Sequence, residues 1–571
     1  MNNAGIEAKL QFRGRETVLT AHLGPYAAAV RSALSEADQE DVVRRIWDKD
    51  ASVWKTEPAH QKIISNSLGW LTVASEMSGK TNELKQFAER IKTEGYRHVM
   101  VCGMGGSSLC PEVLRQTFDS GEGFPTLLVL DSTDPDVINN FRSQIDLSRC
   151  LFVIASKSGT TTEPVAFHRY WYNEVSHVSD SPGDSFIAIT DSGTQMAATA
   201  EAESFKHIFL NQADIGGRYS ALSHFGMVPA ALMGVDVDKF LQHANAMAEL
   251  CRLPAAQNPA ALLGAVIAEC AAAGRDKLTV IADEKLATVG LWIEQLVAES
   301  TGKEGKGIVP VVLEPIGDVS NYGDDRLFVS ISLGGPSLAL KQLEDAGHPI
   351  VYRSLEDTNE LGAEFFLWEM ATAFAGWRMA INPFDQPNVQ EAKDATKSLL
   401  DRYSREGKLN EQTSLAQSGE LTVYGASSDR TSLVDVVRDH LTKAKHGDYI
   451  ALLAYLEETP EIEAALTRLR TALRDVTGRA ITVGYGPRYL HSTGQLHKGG
   501  PDSGVFIQIT AADNIDFEVP QSSYTFSVLK QAQAQGDLDA LLAHGRRVLR
   551  IDVGNNILGG LRELTVLITA D

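Results

Sequence analysis

At 571 residues the chain is too long for one core, and about 100–200 residues per domain leads us to expect three or four domains. Hydrophobic residues at 43% and charged residues at 22% are ordinary for a globular protein, while a formal net charge of −22 argues against a nucleic-acid surface and leaves room for local basic pockets that hold anionic metabolites. The cysteines Cys102, Cys110, Cys150, Cys251 and Cys270 form no CxxC pair, the opening MNNAGIEAKLQFRGRETV lacks a signal-peptide pattern, and no run approaches the ~18 apolar residues of a spanning helix. The expectation is a cytoplasmic protein without a metal knuckle, a disulfide framework or a membrane partner.

Residues 1–90 are rich in helix formers, with apolar positions at helical spacing in HLGPYAAAVRSAL and IISNSLGWLTVASEM, and predict a helical lead-in that packs on a later domain. From His98 the runs HVMVC, TLLVLD, CLFVIAS, FIAITD and HIFL alternate with helix-length segments. That rhythm predicts a doubly wound parallel α/β domain over residues 91–235, with five strands suiting a flavodoxin-like order. KLTVIA, IVPVVL, RLFVSIS and PIVY, with the buried helix ELGAEFFLWEMATAFAGWRMAI, predict a second such lobe over 236–401. The polar, aperiodic stretch at 402–419 reads as a linker. LTVYG, YIALLAYL, AITVGY, VFIQIT and VLRIDV then predict a third α/β domain over 420–571.

In open parallel sheets ligands bind beyond the carboxyl ends of the strands. Two loops of the first domain fall there. Gly103–Ser108 reads GMGGSS, and Val153–Pro164 reads VIASKSGTTTEP, where hydroxyls, backbone N–H groups and a helix N-terminus can hold an anion. Alone, the second reads sooner as a Ser/Thr-rich turn with a helix cap at Thr162 than as an anion site. Together, and without a GxxxxGK[ST] loop, the pair favours a compact phosphate over a dinucleotide.

Three further stretches, GGRYS at 216–220, EQLVAESTGK at 294–303 and NPFDQPNV at 382–389, complete a set that resembles the phosphoglucose isomerases of the two-lobed sugar-isomerase (SIS) family, over roughly residues 60–400. The resemblance implies two SIS lobes enclosing a site that interconverts glucose 6-phosphate and fructose 6-phosphate, with no cofactor and no metal. It assigns Ser156, Lys157, Ser158, Thr160 and Thr161 to the phosphate loop, Gly106 and Ser107 to a sugar-contacting turn, Gln295 to substrate contact, Glu299 to the catalytic base and Arg218 to steadying the enediolate. The chemistry needs these types: moving a proton between C2 and C1 takes one carboxylate that reaches both carbons, a cation near the enediolate oxygens, and an acid/base that opens the ring. Read without the resemblance, Glu299 would be an exposed helix-end carboxylate and Arg218 a structural partner of Asp214.

The stretch from Asp385 to Lys393, DQPNVQEAK, resembles the family's DQxGVExxK signature, which gives Lys393 a part at the ring oxygen. It departs from that signature at Asn388, where the family carries Gly, and at Gln390, where it carries Glu. The family's LHSxGQ histidine, expected between base and lysine, has no counterpart there: His348 stands in AGHPIVY, whereas LHSTGQ occurs later, at 490–495. That order resembles the isomerase half of fused transaldolase–phosphoglucose isomerases, without a transaldolase portion, and makes His491 the ring-opening candidate and His497 a weaker one. A third domain carrying His491 implies either a monomer completed in cis or an ordinary homodimer. Competing readings are an isomerase that also accepts mannose 6-phosphate, and a catalytically silent phosphosugar-binding regulator.

Overall fold

The computed structural model describes residues 6–12, 15–335, 337–409, 413–425 and 432–569. It begins with a hairpin, β1 (Ile6–Phe12) and β2 (Arg15–His22), where a helical lead-in was expected; the helices start only after it and run to Thr93. IEAKLQF alternates apolar and polar residues at the strand period of two, which is the local reason for the difference. The helices that follow do pack on the later lobes: Trp54, Trp70 and Phe87 share one core with residues of both.

The first lobe is a sheet of β3 (His98–Gly103), β4 (Thr126–Leu130), β5 (Cys150–Ala155), β6 (Phe186–Asp191) and β7 (His207–Asn211) in the order β4-β3-β5-β6-β7, all parallel. This is the expected flavodoxin-like order, and the buried central strand β5 is apolar throughout because both of its faces are covered.

The second lobe contains β8 (Lys277–Ala282), β9 (Val309–Val312), β10 (Arg326–Ser332) and β11 (Ile350–Ser354), parallel in the order β9-β8-β10-β11. Where a fifth parallel strand would stand, the N-terminal hairpin closes the edge, β2 lying antiparallel to β11. Leu361–Arg378 is the buried helix of this lobe, with Glu364 and Glu369 inside it.

Much of the polar 402–419 stretch is structured. The helix Val389–Glu406 runs into it, and β12 (Ser414–Ser418) pairs with β13 (Leu421–Gly425) as a second edge hairpin. Then come β14 (Tyr449–Tyr455), β15 (Ala480–Tyr485), β16 (Gly504–Thr510) and β17 (Arg547–Asp552), parallel in the order β15-β14-β16-β17, with β13 antiparallel to β17. The third domain thus repeats the plan of the second lobe, hairpin included. Its sheet packs Tyr449, Leu453 and Phe506 against Ala298 and Val309 of the second lobe, and its helix Phe526–Ala543 packs Phe526 and Leu529 against Phe167 and Tyr170 of the first. The cysteines are free and buried, and no helix of the described residues is long and apolar enough to cross a membrane.

Candidate active site at the meeting of three domains

After β3 the chain turns through Gly105–Ser107. Gly105 has φ +55°, and a Cβ built there would stand 2.8 Å from Gln295 Nε2 and 3.0 Å from the His491 carbonyl oxygen. A Cβ on Gly106 would stand 1.9 Å from the Gly217 carbonyl oxygen, so only glycine lets this turn touch the segment carrying Arg218. Ser107 closes the turn through its backbone N–H on the Met104 carbonyl. One glycine turn therefore meets the first lobe's arginine loop, the second lobe's Val289–Thr301 helix and the third domain.

That helix buries both Glu299 and Gln295, which rules out an exposed helix-end carboxylate. Glu299 Oε1 lies 3.3 Å from Arg218 Nη1, and Gln295 Nε2 donates to Glu299 Oε2 at 3.2 Å and to the His491 carbonyl at 2.8 Å. Arg218 is 3% exposed. It donates from Nε to Ser300 at 2.8 Å, from Nη1 to Gln386 at 3.0 Å, and from Nη2 to the carbonyls of Pro383 and Asp385 at 2.6 and 3.0 Å. Its donors are thus committed to protein acceptors, and what it offers a developing oxyanion is fixed positive charge. Asp214 sits beside Lys49 and Gly69, not Arg218.

Beyond β5 the loop folds on its own hydroxyls: Gly159 N–H donates to Ser156 Oγ at 3.2 Å, Thr160 N–H to Ser158 Oγ at 3.3 Å, and the Ser158 and Thr160 hydroxyls lie 3.1 Å apart. Thr161 occupies the cap position of the helix Thr162–Ser176, yet its side chain makes no capping bond and instead lies 3.5 Å from Ser156 Oγ. The cap reading fails there, and the first-turn N–H groups and hydroxyls remain for an anion. Lys157 stands apart, hydrogen-bonded to the Asp191 carboxylate and the Ala213 carbonyl.

His491 ends the short turn Arg488–His491 that follows β15, at the carboxyl end of the third sheet. Its Nε2 lies 3.0 Å from Glu163 Oε1, the first-lobe carboxylate two positions after the SKSGTT loop. Gln533 Nε2 also donates to that oxygen at 2.7 Å, and Thr133 fixes the Gln533 carbonyl oxygen at 2.7 Å. Burial would raise the Glu163 carboxyl, but the charge and hydrogen bond of His491 more than offset it and hold it below the usual range. Thr160, Thr161, Glu163, Lys393 and His491 line one cavity of about 500 Å³.

The departure at Asn388 is absorbed by the displaced histidine segment. Asn388 has φ −86°, where no glycine is needed. Its N–H donates to Gln495 Oε1 at 2.9 Å, and Gln495 Nε2 donates back to Asn388 Oδ1 at 2.8 Å and to the Gly302 carbonyl at 2.9 Å. His497 is buried against the rings of Tyr449, Tyr489 and Phe506, with its pKa pushed well down by that burial, away from the cavity lining. His348 lies beside Arg275 in the second lobe.

Residues 58–311 match the family model described as "Phosphoglucose isomerase". That segment is similar to the phosphoglucose isomerase family. Among its relatives, one from Methanococcus maripaludis, named "Probable glucose-6-phosphate isomerase", is 26% identical over 384 residues, covering 60% of this chain and 86% of its own. A glucose-6-phosphate isomerase of Prochlorococcus marinus is 25% identical over 419 residues, covering 65% and 77%. A crystal structure of a glucose-6-phosphate isomerase from Chlamydia trachomatis shares the fold, with a TM-score of 0.57 at 18% identity over 70% of this chain and 90% of that one.

Glu163, Gln533 and Gln495 stand at this candidate site, and the sequence reading did not single them out. Glu163 sits inside the quoted SKSGTTTEP motif, but its partner lies 328 positions away.

Proposed function

We propose that the chain interconverts D-glucose 6-phosphate and D-fructose 6-phosphate, an aldose–ketose isomerisation of glycolysis and gluconeogenesis, and does so as a single chain in the cytoplasm. The observation that carries the single-chain reading is the 3.0 Å contact between His491 of the third domain and Glu163 at the phosphate loop of the first.

In this reading the phosphate rests on Ser156, Ser158, Thr160, Thr161 and the helix N-terminus behind them. His491, oriented by Glu163, exchanges the ring proton while Lys393 serves the ring oxygen, and the sugar opens. Glu299 then takes the C2 proton and returns it at C1, with Gln295 fixing both the base and the His491 backbone. The enediolate formed between those steps is stabilised by the buried Arg218 charge. The edge hairpin and third sheet repeat the second lobe's plan, which supports the idea that this domain stands where a partner subunit would otherwise complete the site.

A coupled assay for glucose 6-phosphate formed from fructose 6-phosphate tests the activity, and Glu299→Gln tests the base. The amide keeps size and loses basicity, so turnover should fall ~10²–10⁴-fold with substrate affinity held within a few-fold. Near-normal turnover removes Glu299 from the role.

A further inference from the structure

A second cavity lies behind the catalytic helix, at the seam between the second lobe and the third domain. Its volume is about 70 Å³. Leu109, Leu291, Val312, Leu466 and Val483 form apolar walls. Glu294, one position before Gln295, is 5% exposed and makes no hydrogen bond or ion pair among the described residues. Arg470 is 3% exposed. Its Nη1 and Nη2 donate to the carbonyls of Val312 and Ile481 at 2.9 and 2.7 Å, its Nε–H has no acceptor, and no carboxylate of the described residues stands within ion-pair distance. The Tyr485 hydroxyl on the same wall is also buried without a partner.

Buried guanidinium groups are normally matched by an anion, because an unmatched buried charge is costly. Here the wall offers two donors, a guanidinium N–H and a phenol, and a carboxyl that donates only when protonated, around an apolar space. We propose that this cavity is a binding site for a short-chain monocarboxylate, whose carboxylate is held by Arg470 and Tyr485 beside Glu294 and whose tail lies on the leucine and valine walls. Its place gives it a route to the reaction. Arg488 and Ser492 line the cavity and flank His491 on the same turn, while Glu294 adjoins Gln295.

The groups facing Glu294 are Arg470 and Glu463 on the helix Pro460–Thr477, Glu458 just before it, Tyr485 at the end of β15, and Arg488 after it, which itself pairs with Glu458 at 3.0 Å and Asp131 at 3.5 Å. Burial pushes the Glu294 carboxyl up to about 8 against the pull of Arg488 and Arg470. A carboxylate ligand binds the protonated form, so its affinity is fully present below that pH and is lost as pH rises through it.

The test is calorimetry on the full chain saturated with fructose 6-phosphate, so that the phosphate loop is occupied, with propionate, propionamide and propylammonium as probes. Saturable binding of propionate alone, about ten-fold weaker at pH 9 than at pH 7, is expected. Glu294→Gln keeps a donor of the same size and should bind propionate within about three-fold at pH 7, with no change at pH 9. Val483→Phe, which fills the apolar wall, should abolish binding. Absent propionate binding, equal binding of the amide or the amine, a pH dependence that survives in Glu294→Gln, or unchanged binding in Val483→Phe would each overturn the proposal. Should Glu294→Gln fail to fold, the wild-type pH series and Val483→Phe still decide it.

Discussion

Replacing Glu163 with Gln is the perturbation that isolates how His491 is positioned. The wild-type oxygen accepts from His491 Nε2 at 3.0 Å and Gln533 Nε2 at 2.7 Å in a buried setting. The amide preserves volume but removes the charge that both partners hold. A hydrogen bond to a charged group contributes ~1.5–3 kcal/mol, and ~1.36 kcal/mol is tenfold in rate, so the ring-opening step should slow by roughly 10–150-fold. Exchange between the anomers of fructose 6-phosphate, followed by NMR, reads that step directly, while the coupled assay reads isomerisation. Glu163→Gln should slow anomer exchange by that factor and add little when combined with His491→Ala, because the two residues act as one unit. The stability sign follows from Glu163's lowered pKa. Its contribution is present above the unfolded carboxylate range and lost as pH falls through the lowered folded value, so the variant's stability deficit should shrink in acid. Unchanged anomer exchange, or losses that simply multiply in the double variant, would refute the assignment.

Two further perturbations probe the scaffold of the site. Gly106→Ala forces a methyl onto the Gly217 carbonyl at 1.9 Å, so the Arg218 turn must shift; we expect a stability loss of ~1–3 kcal/mol by thermal unfolding and a larger proportional loss of turnover, and wild-type turnover would contradict the close approach. Lys303 donates to Asp385 Oδ1 at 2.7 Å, and burial, helped by Arg218, pulls its pKa down to about 8. Above that pH the folded chain loses a proton the unfolded chain keeps, so this group's term favours folding as pH rises, while the Asp385 anchor weakens. Turnover should therefore show an alkaline limb near 8 without loss of stability, and Lys303→Arg should move the limb upward; a limb that stays put rules Lys303 out as its source.

The parallel strands were legible in the sequence because strands covered on both faces must be apolar throughout, as in CLFVIA and YIALLAY. The edge hairpins were not. IEAKLQF carries its signal as alternation that a search for apolar runs passes over, and SLAQS is short and polar because an edge strand has one ladder to satisfy. The phosphate loop, Glu299 and Arg218 could be found because each lies within a compact motif. Glu163, Gln533 and the Asn388–Gln495 clamp could not, since their meaning depends on which distant segment folds against them. The same holds for Arg218: only the fold shows that its donors are spent on Ser300, Gln386 and the carbonyls of Pro383 and Asp385 while Nη1 lies 3.3 Å from Glu299.

The central claim is that one chain supplies the whole site, base and histidine together. Mixing equal amounts of a Glu299→Gln chain and a His491→Ala chain, at a concentration where sedimentation has fixed the oligomeric state, tests it most directly. A site completed in cis leaves both defects in place, and the mixture should show no more turnover than the mean of the two variants alone. Recovery towards roughly one quarter of the wild-type rate, the yield of randomly mixed symmetric dimers with one intact site in half of them, would mean that His491 acts across an interface and would contradict the claim.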